Sequence, residues 1–270
     1  MRKHGVIGLI VGMALLAVTS FAAPTGRILV FSKTAAFRHG SIEDGIEAIR
    51  RLGGENGFEV DTTEDAAAFT DENLGQYAAV VFLNTTGDVL DDGQQSELER
   101  FIQAGGGYVG VHAASDTEYD WPWYGELVGA YFAGHPSIQQ ATLDVVDRGH
   151  QATAHLDLKW RRTDEWYDFR SISRGTNVLI TIDESSYDGA DTGDPHPMSW
   201  YHDFDGGRAF YTALGHTRES YADPAYLQHL LGGIRYAMGD GAPLVRSDRS
   251  ATMARTDAQR PSNTHRAEVR

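Results

Sequence analysis

Three short apolar runs constrain the fold of this chain more than any other feature: Arg27 to Ser32 (RILVFS), Ala78 to Asn84 (AAVVFLN) and Tyr108 to His112 (YVGVH). A strand with one wet face alternates apolar and polar residues. These runs do not alternate, so they suit a parallel sheet covered on both faces. The segments between them repeat on the helical period. Ile42, Ile46 and Ile49 follow Ser41, which with Asp44 approximates a capping box, and Gly53-Gly54 ends the run. Asp91 to Gln103 places Leu98, Phe101 and Ile102 on one face before the glycines at 105 to 107, and Phe58 to Asp61 supplies a further strand. This alternation predicts right-handed crossovers and an α/β sandwich with a central, mainly parallel sheet.

The second half is less regular. Ala141 to Val146 and Asn177 to Ile182 read as strands, and Met198 to Phe204 with Arg208 to Leu214 reads as a hairpin around Asp205-Gly206-Gly207. Tyr226 to Met238 reads as a closing helix with Leu227, Leu230, Leu231 and Ile234 on its buried face. With no internal repeat and no proline-rich linker, residues 23–240 are expected to form one domain. At the start, Arg2, Lys3 and His4 precede an apolar stretch from Gly5 to Val18 and the small-residue site Ser20-Phe21-Ala22. That pattern reads as a signal peptide over 1–22 and predicts a secreted or periplasmic protein with no membrane span after its removal. Residues 241–270, rich in Ser, Thr, Ala and Arg without an apolar period, read as a disordered polar tail. A formal charge of −15 argues against nucleic-acid binding, and zero cysteines exclude a thiol nucleophile, a disulfide and any thiolate metal site.

In an open parallel sheet, ligands bind beyond the carboxyl ends of the strands, where loops and helix N-termini converge. The candidates there are His39 after the first strand, Asn84 after the third, His112 with Ser115 and Asp116 after the fourth, and His216 after the hairpin. The segment GGGYVGVHAASD (105–116) places His112 at a strained, exposed elbow of the kind that carries the nucleophile in α/β enzymes.

FRHGSI (37–42), GGGYVGVHAASD (105–116), WYGELVGAYFAGHP (123–136), DEWY (164–167) and MSWYHDFDGGRAFYTALGH (198–216) together resemble the trehalose-utilisation (ThuA-like) family over about residues 26–239. The resemblance implies the flavodoxin-like, class I glutamine amidotransferase-like sandwich and a role in disaccharide or keto-sugar breakdown. The amidotransferase elbow carries cysteine where this chain has His112, so glutamine hydrolysis through a thioester is excluded. Amidotransferase relatives end on a His-x-Glu pair, whereas here His216 is followed by Glu219, one residue too far for that triad.

The expected reading is therefore a sugar-acting, glycosidase-like hydrolase with His112, His216 and Asp116 catalytic and His39, Asn84, His135, Glu165, Trp166 and His202 binding a small saccharide. The alternative is a carbohydrate-binding protein that kept the scaffold without the nucleophile. His39, His112 and His216, with Asp116 or Glu165 nearby, also suit a divalent metal such as zinc, although no compact His-Glu-x-x-His spacing supports one. Trp166 fits either a sugar platform or core packing, Trp121 and Trp123 either a lid or packing, and Asp116, Glu118 and Asp120 either paired catalytic acids or a solvated turn.

Overall fold

The computed structural model describes residues 26–170 and 172–239, so the expected signal peptide and polar tail lie outside the described residues. The three apolar runs become strands β1 (Arg27–Phe31), β3 (Ala79–Leu83) and β4 (Gly107–Val111), with β2 (Glu59–Thr63) beside them. Every residue of β3 and β4 is buried, as unbroken apolar runs require. Helices α1 (Ile42–Asn56), α2 (Asp71–Leu74) and α3 (Asp92–Gln103) make the crossovers. The Asp91 and Gln94 side chains cap α3 reciprocally. Ser41 heads α1 but makes no cap bond. Its hydroxyl instead donates to the Gly215 carbonyl (3.4 Å) and accepts from Asn84 Nδ2 (3.1 Å), joining loops that are distant in sequence.

The remaining elements are α4 (Pro122–Val128), β5 (Tyr131–Gly134), β6 (Gln139–Val145), β7 (Lys159–Asp164), β8 (Asp168–Arg170), β9 (Asn177–Ile182), β10 (Pro197–Phe204), β11 (Gly207–Thr212) and α5 (Pro224–Met238). The large sheet runs β2-β1-β3-β4-β11-β10-β9-β6-β7, and β5 pairs only with β8. Strands β2, β1, β3, β4 and β11 are mutually parallel, in the strand order of flavodoxin-like sheets. The strands from β10 onward are antiparallel, so β7 again points its C-terminal end toward the carboxyl edge of the parallel half. Aromatic edges knit the core beneath: Phe31, Phe69 and Phe82 meet at 4.7–5.9 Å. Each such ring contributes roughly 1.5–3 kcal/mol by leaving water.

The face of α5 includes a residue its leucines do not suggest. Leu227 and Leu231 sit at its border, while His229 is wholly buried. The His229 Nδ1–H donates to the Ala152 carbonyl (2.9 Å) and Nε2 lies 3.1 Å from the Thr212 hydroxyl. Burial pushes its pKa from 6.5 down to about 3. Below pH 6.5 the unfolded chain takes a proton that the folded chain refuses, so this group's share of stability is lost as pH falls from 6.5 toward 3. Urea unfolding across that window is expected to show a loss of about 1.4 kcal/mol per pH unit from this one proton. In His229→Gln the slope should be shallower by that amount.

Candidate functional site at the carboxyl edge

The loops leaving β1, β4, β7 and β11 bring His39, His112, Glu165 and His216 together, with one donor atom from each within 4.8 Å of all the others. His112 is the first residue after β4 and holds a left-handed backbone, φ +47°. A non-glycine residue is strained there, and such strain concentrates at functional positions. The elbow is real, but the side chain is not exposed as expected: it is 0 % accessible, tucked under Tyr167 with ring centroids 4.0 Å apart. Because a carbonyl only accepts, the 2.7 Å contact to Ala213 O places the proton on Nδ1 and leaves the Nε2 lone pair facing the site. Nε2 lies 3.1 Å from His216 Nδ1 and 3.3 Å from Glu165 Oε2, and that same oxygen lies 3.0 Å from His216 Nδ1.

His39 closes the cluster edge-on to both other imidazoles, 5.0 Å from each. Its Nδ1 is buried with no hydrogen-bond partner. Burial, and then repulsion from His112 and His216, lowers its pKa to about 3, so its imidazole is neutral in ordinary buffers. Burial alone would raise the Glu165 carboxyl. The imidazoles beside it, His112 and His216, outweigh burial and hold it far below the usual carboxylate range. A neutral imidazole with an orphaned nitrogen, a second with its lone pair aimed inward by a backbone carbonyl, and an ionised carboxylate make a donor set that fits a divalent metal such as zinc.

Asp164, at the end of β7, does structural work. Its wholly buried carboxylate accepts from the backbone N–H groups of Gly215, His216 and Thr217 at 3.0–3.3 Å, from the Ser220 hydroxyl and from Arg162. Gly215 has φ +108°, and a Cβ there would stand 2.4 Å from the Tyr226 hydroxyl oxygen, so only glycine fits the turn that presents His216. On the rim, His135 is half-exposed, its Nδ1 3.1 Å from Glu165 Oε1.

Several expected site residues lie elsewhere. Asp116 is partly buried and accepts a 2.6 Å bond from the Tyr119 hydroxyl; burial raises its carboxyl, and it bonds to none of the four clustered residues. Asn84 is wholly buried, its amide donating to Ser41 and to the Gly215 carbonyl, so it braces the loops rather than facing a ligand. Trp166 packs in the core with its indole N–H on the Gln139 carbonyl, because residues alternate sides where Glu165 and Tyr167 turn to the cluster. His202 pairs with Ala209, well back from the carboxyl edge, and contacts the Glu126 carbonyl. Glu118 is not in a solvated turn: it is buried and accepts from Val89 N, Leu90 N and Gln95 Nε2. Trp121 and Trp123 stack on each other and donate to Glu99 and Asp205, away from the cluster, so they are packing and not a lid.

Asp164→Asn should cost about 3 kcal/mol in urea unfolding, because it removes the closer counter-charge of the buried Arg162, leaving only Asp223 at 3.6 Å, and weakens the anchor of three backbone N–H groups. It should also release the loop that carries His216. A loss below about 0.5 kcal/mol would contradict this account of the loop.

The family described as "Trehalose utilisation" matches residues 27–237. No curated protein matches the chain significantly in sequence. Among solved structures, a putative ThuA-like protein from Bacteroides uniformis superposes with a TM-score of 0.69 at 21% identity, covering 87% of this chain and 97% of that one. A putative ThuA-like protein from Parabacteroides merdae gives 0.68 at 21% identity, with 80% and 91% covered. A β-galactosidase from Bacillus circulans shares the fold more distantly, at a TM-score of 0.51 and 12% identity, over 80% of this chain and 31% of that one. With nearly the whole described chain inside the family match, this protein belongs to the trehalose-utilisation (ThuA) family.

Proposed function

We propose that this chain is an exported enzyme of carbohydrate breakdown that cleaves or rearranges a disaccharide, glycoside or keto-sugar at a divalent metal ion held by His39, His112, Glu165 and His216. The observation that carries the reading is the convergence of four donor groups from four separate loops, one of them the orphaned Nδ1-bearing ring of His39. Family membership supports the sugar substrate. The charged, apolar and small-residue pattern of residues 1–22 supports export.

A divalent ion at this position supplies Lewis acidity toward a sugar carbonyl or hydroxyl oxygen. The protein's own groups do the rest. Ala213 O fixes the tautomer of His112, and the Tyr167 ring holds its plane. Asp164 fixes the backbone of His216. His135 bridges Glu165 to solvent and stands where a proton can pass between the cluster and a bound sugar.

A metal-free acid/base cluster is the second reading, favoured by the hydrogen-bond distances among His112, His216 and Glu165. Metal removal separates the two. Chelated protein incubated with trehalose, other disaccharides and their 3-keto forms, followed by mass spectrometry, is expected to lose product formation at least 100-fold and to regain it with zinc or manganese. Undiminished turnover after verified metal removal would establish the acid/base cluster. Saccharide binding with no product from any sugar would identify a carbohydrate-binding protein.

A further inference from the structure

A second cluster lies on the other side of Tyr167 from the first. Asp168 in β8, Glu184 in the 3₁₀ turn after β9 and His196 just before β10 bring one donor atom each within 4.8 Å of one another. His196 is wholly buried. Its Nε2 lies 2.8 Å from the Tyr167 carbonyl, which can only accept, so Nε2 carries the proton. The other nitrogen, Nδ1, faces Glu184 Oε1 at 2.9 Å and the Tyr187 hydroxyl at 3.3 Å. A lone pair facing a carboxylate oxygen is repulsive unless a proton, or a metal ion bound by both atoms, relieves it.

The charge count favours a divalent ion over a single proton. Among the described residues, no lysine or arginine pairs with Asp168 or Glu184, and His196 is the only basic partner of Glu184. A proton on His196 would leave two carboxylates and one imidazolium, a net −1 around a wholly buried imidazole. A divalent ion with neutral His196 balances both carboxylates. The surrounding contacts orient the carboxylates without neutralising them: Asp168 Oδ1 accepts from Asp191 N and the Thr192 hydroxyl, and Glu184 Oε1 accepts from Gly193 N. The carbonyl bonded to the far nitrogen of His196 is the arrangement by which proteins fix a ligating imidazole.

We propose that Asp168, Glu184 and His196 bind a second divalent cation of the zinc or manganese class, whose role is to brace the segment 164–168. Glu165 and Tyr167 face the first cluster from that segment, and Asp168 with the Tyr167 carbonyl faces the second. The second ion thus sets the Tyr167 ring against His112 from behind.

Elemental analysis of the chelated, zinc-reconstituted full chain tests this. Wild type is expected to hold two equivalents, and Glu184→Gln and Asp168→Asn one each. The double variant His39→Ala/Glu165→Gln, which dismantles only the first cluster, is expected to keep one. Zinc should raise the melting temperature of that double variant, and the shift should disappear when Glu184→Gln is added. No retained equivalent in the double variant, or an unchanged count in both Glu184→Gln and Asp168→Asn, would overturn the second site. Should the first cluster bind no metal, wild type and the double variant would each hold one equivalent and Glu184→Gln none, which contradicts the proposed function and leaves the second site standing.

Discussion

The carboxylate of Asp164 holds the site together. Strand β7 lies four places from β11 in the sheet order, yet Asp164 at its end accepts three successive N–H groups from the loop after β11. The antiparallel half of the sheet must therefore curl back over the carboxyl edge of the parallel half. The curl brings the next residue, Glu165, among imidazoles that the parallel half supplies from three strand ends. A buried carboxylate is tolerated because Arg162 neutralises it and five donors saturate it. Its local electrostatics thus decide whether two halves with different strand arrangements share one centre.

The parallel half was legible in the sequence because its strands are buried on both faces and their composition says so. β1, β3 and β4 lie where the apolar runs predict, and the rule that ligands gather beyond strand carboxyl ends picks out His39, His112 and His216, which the structure brings together. β7 was not legible: its sequence, KWRRTD, is polar because it is an edge strand with one face in water. Without β7, Glu165 could be noticed only through its aromatic neighbours, and that signal pointed equally to Trp166, which belongs to the core. His202 misled because hairpin strands run in opposite senses, so a histidine two-thirds along β10 lies back toward the amino edge. Asn84 sits at a strand end as expected, but a side chain at the edge can face the loops as readily as the cleft.

The protonation pattern follows from the same geometry. Burial and the neighbouring imidazoles lower the pKa of His39, whose Nδ1 lacks a hydrogen-bond partner, so it stays neutral. Glu165 stays ionised because the imidazoles flank it. The elbow after β4 places an imidazole with its lone pair turned inward. In the proposed function, that strained backbone serves to aim His112 at the metal ion.

The most direct test of that claim is an anomalous-difference map from crystals of the protein grown with zinc, recorded on both sides of the zinc absorption edge. The account predicts a peak within about 2.0–2.2 Å of one atom each of His39, His112, Glu165 and His216, with the contacting atom of His112 being Nε2. A map with no peak there, in which His112, His216 and Glu165 keep direct hydrogen bonds to one another, would contradict it.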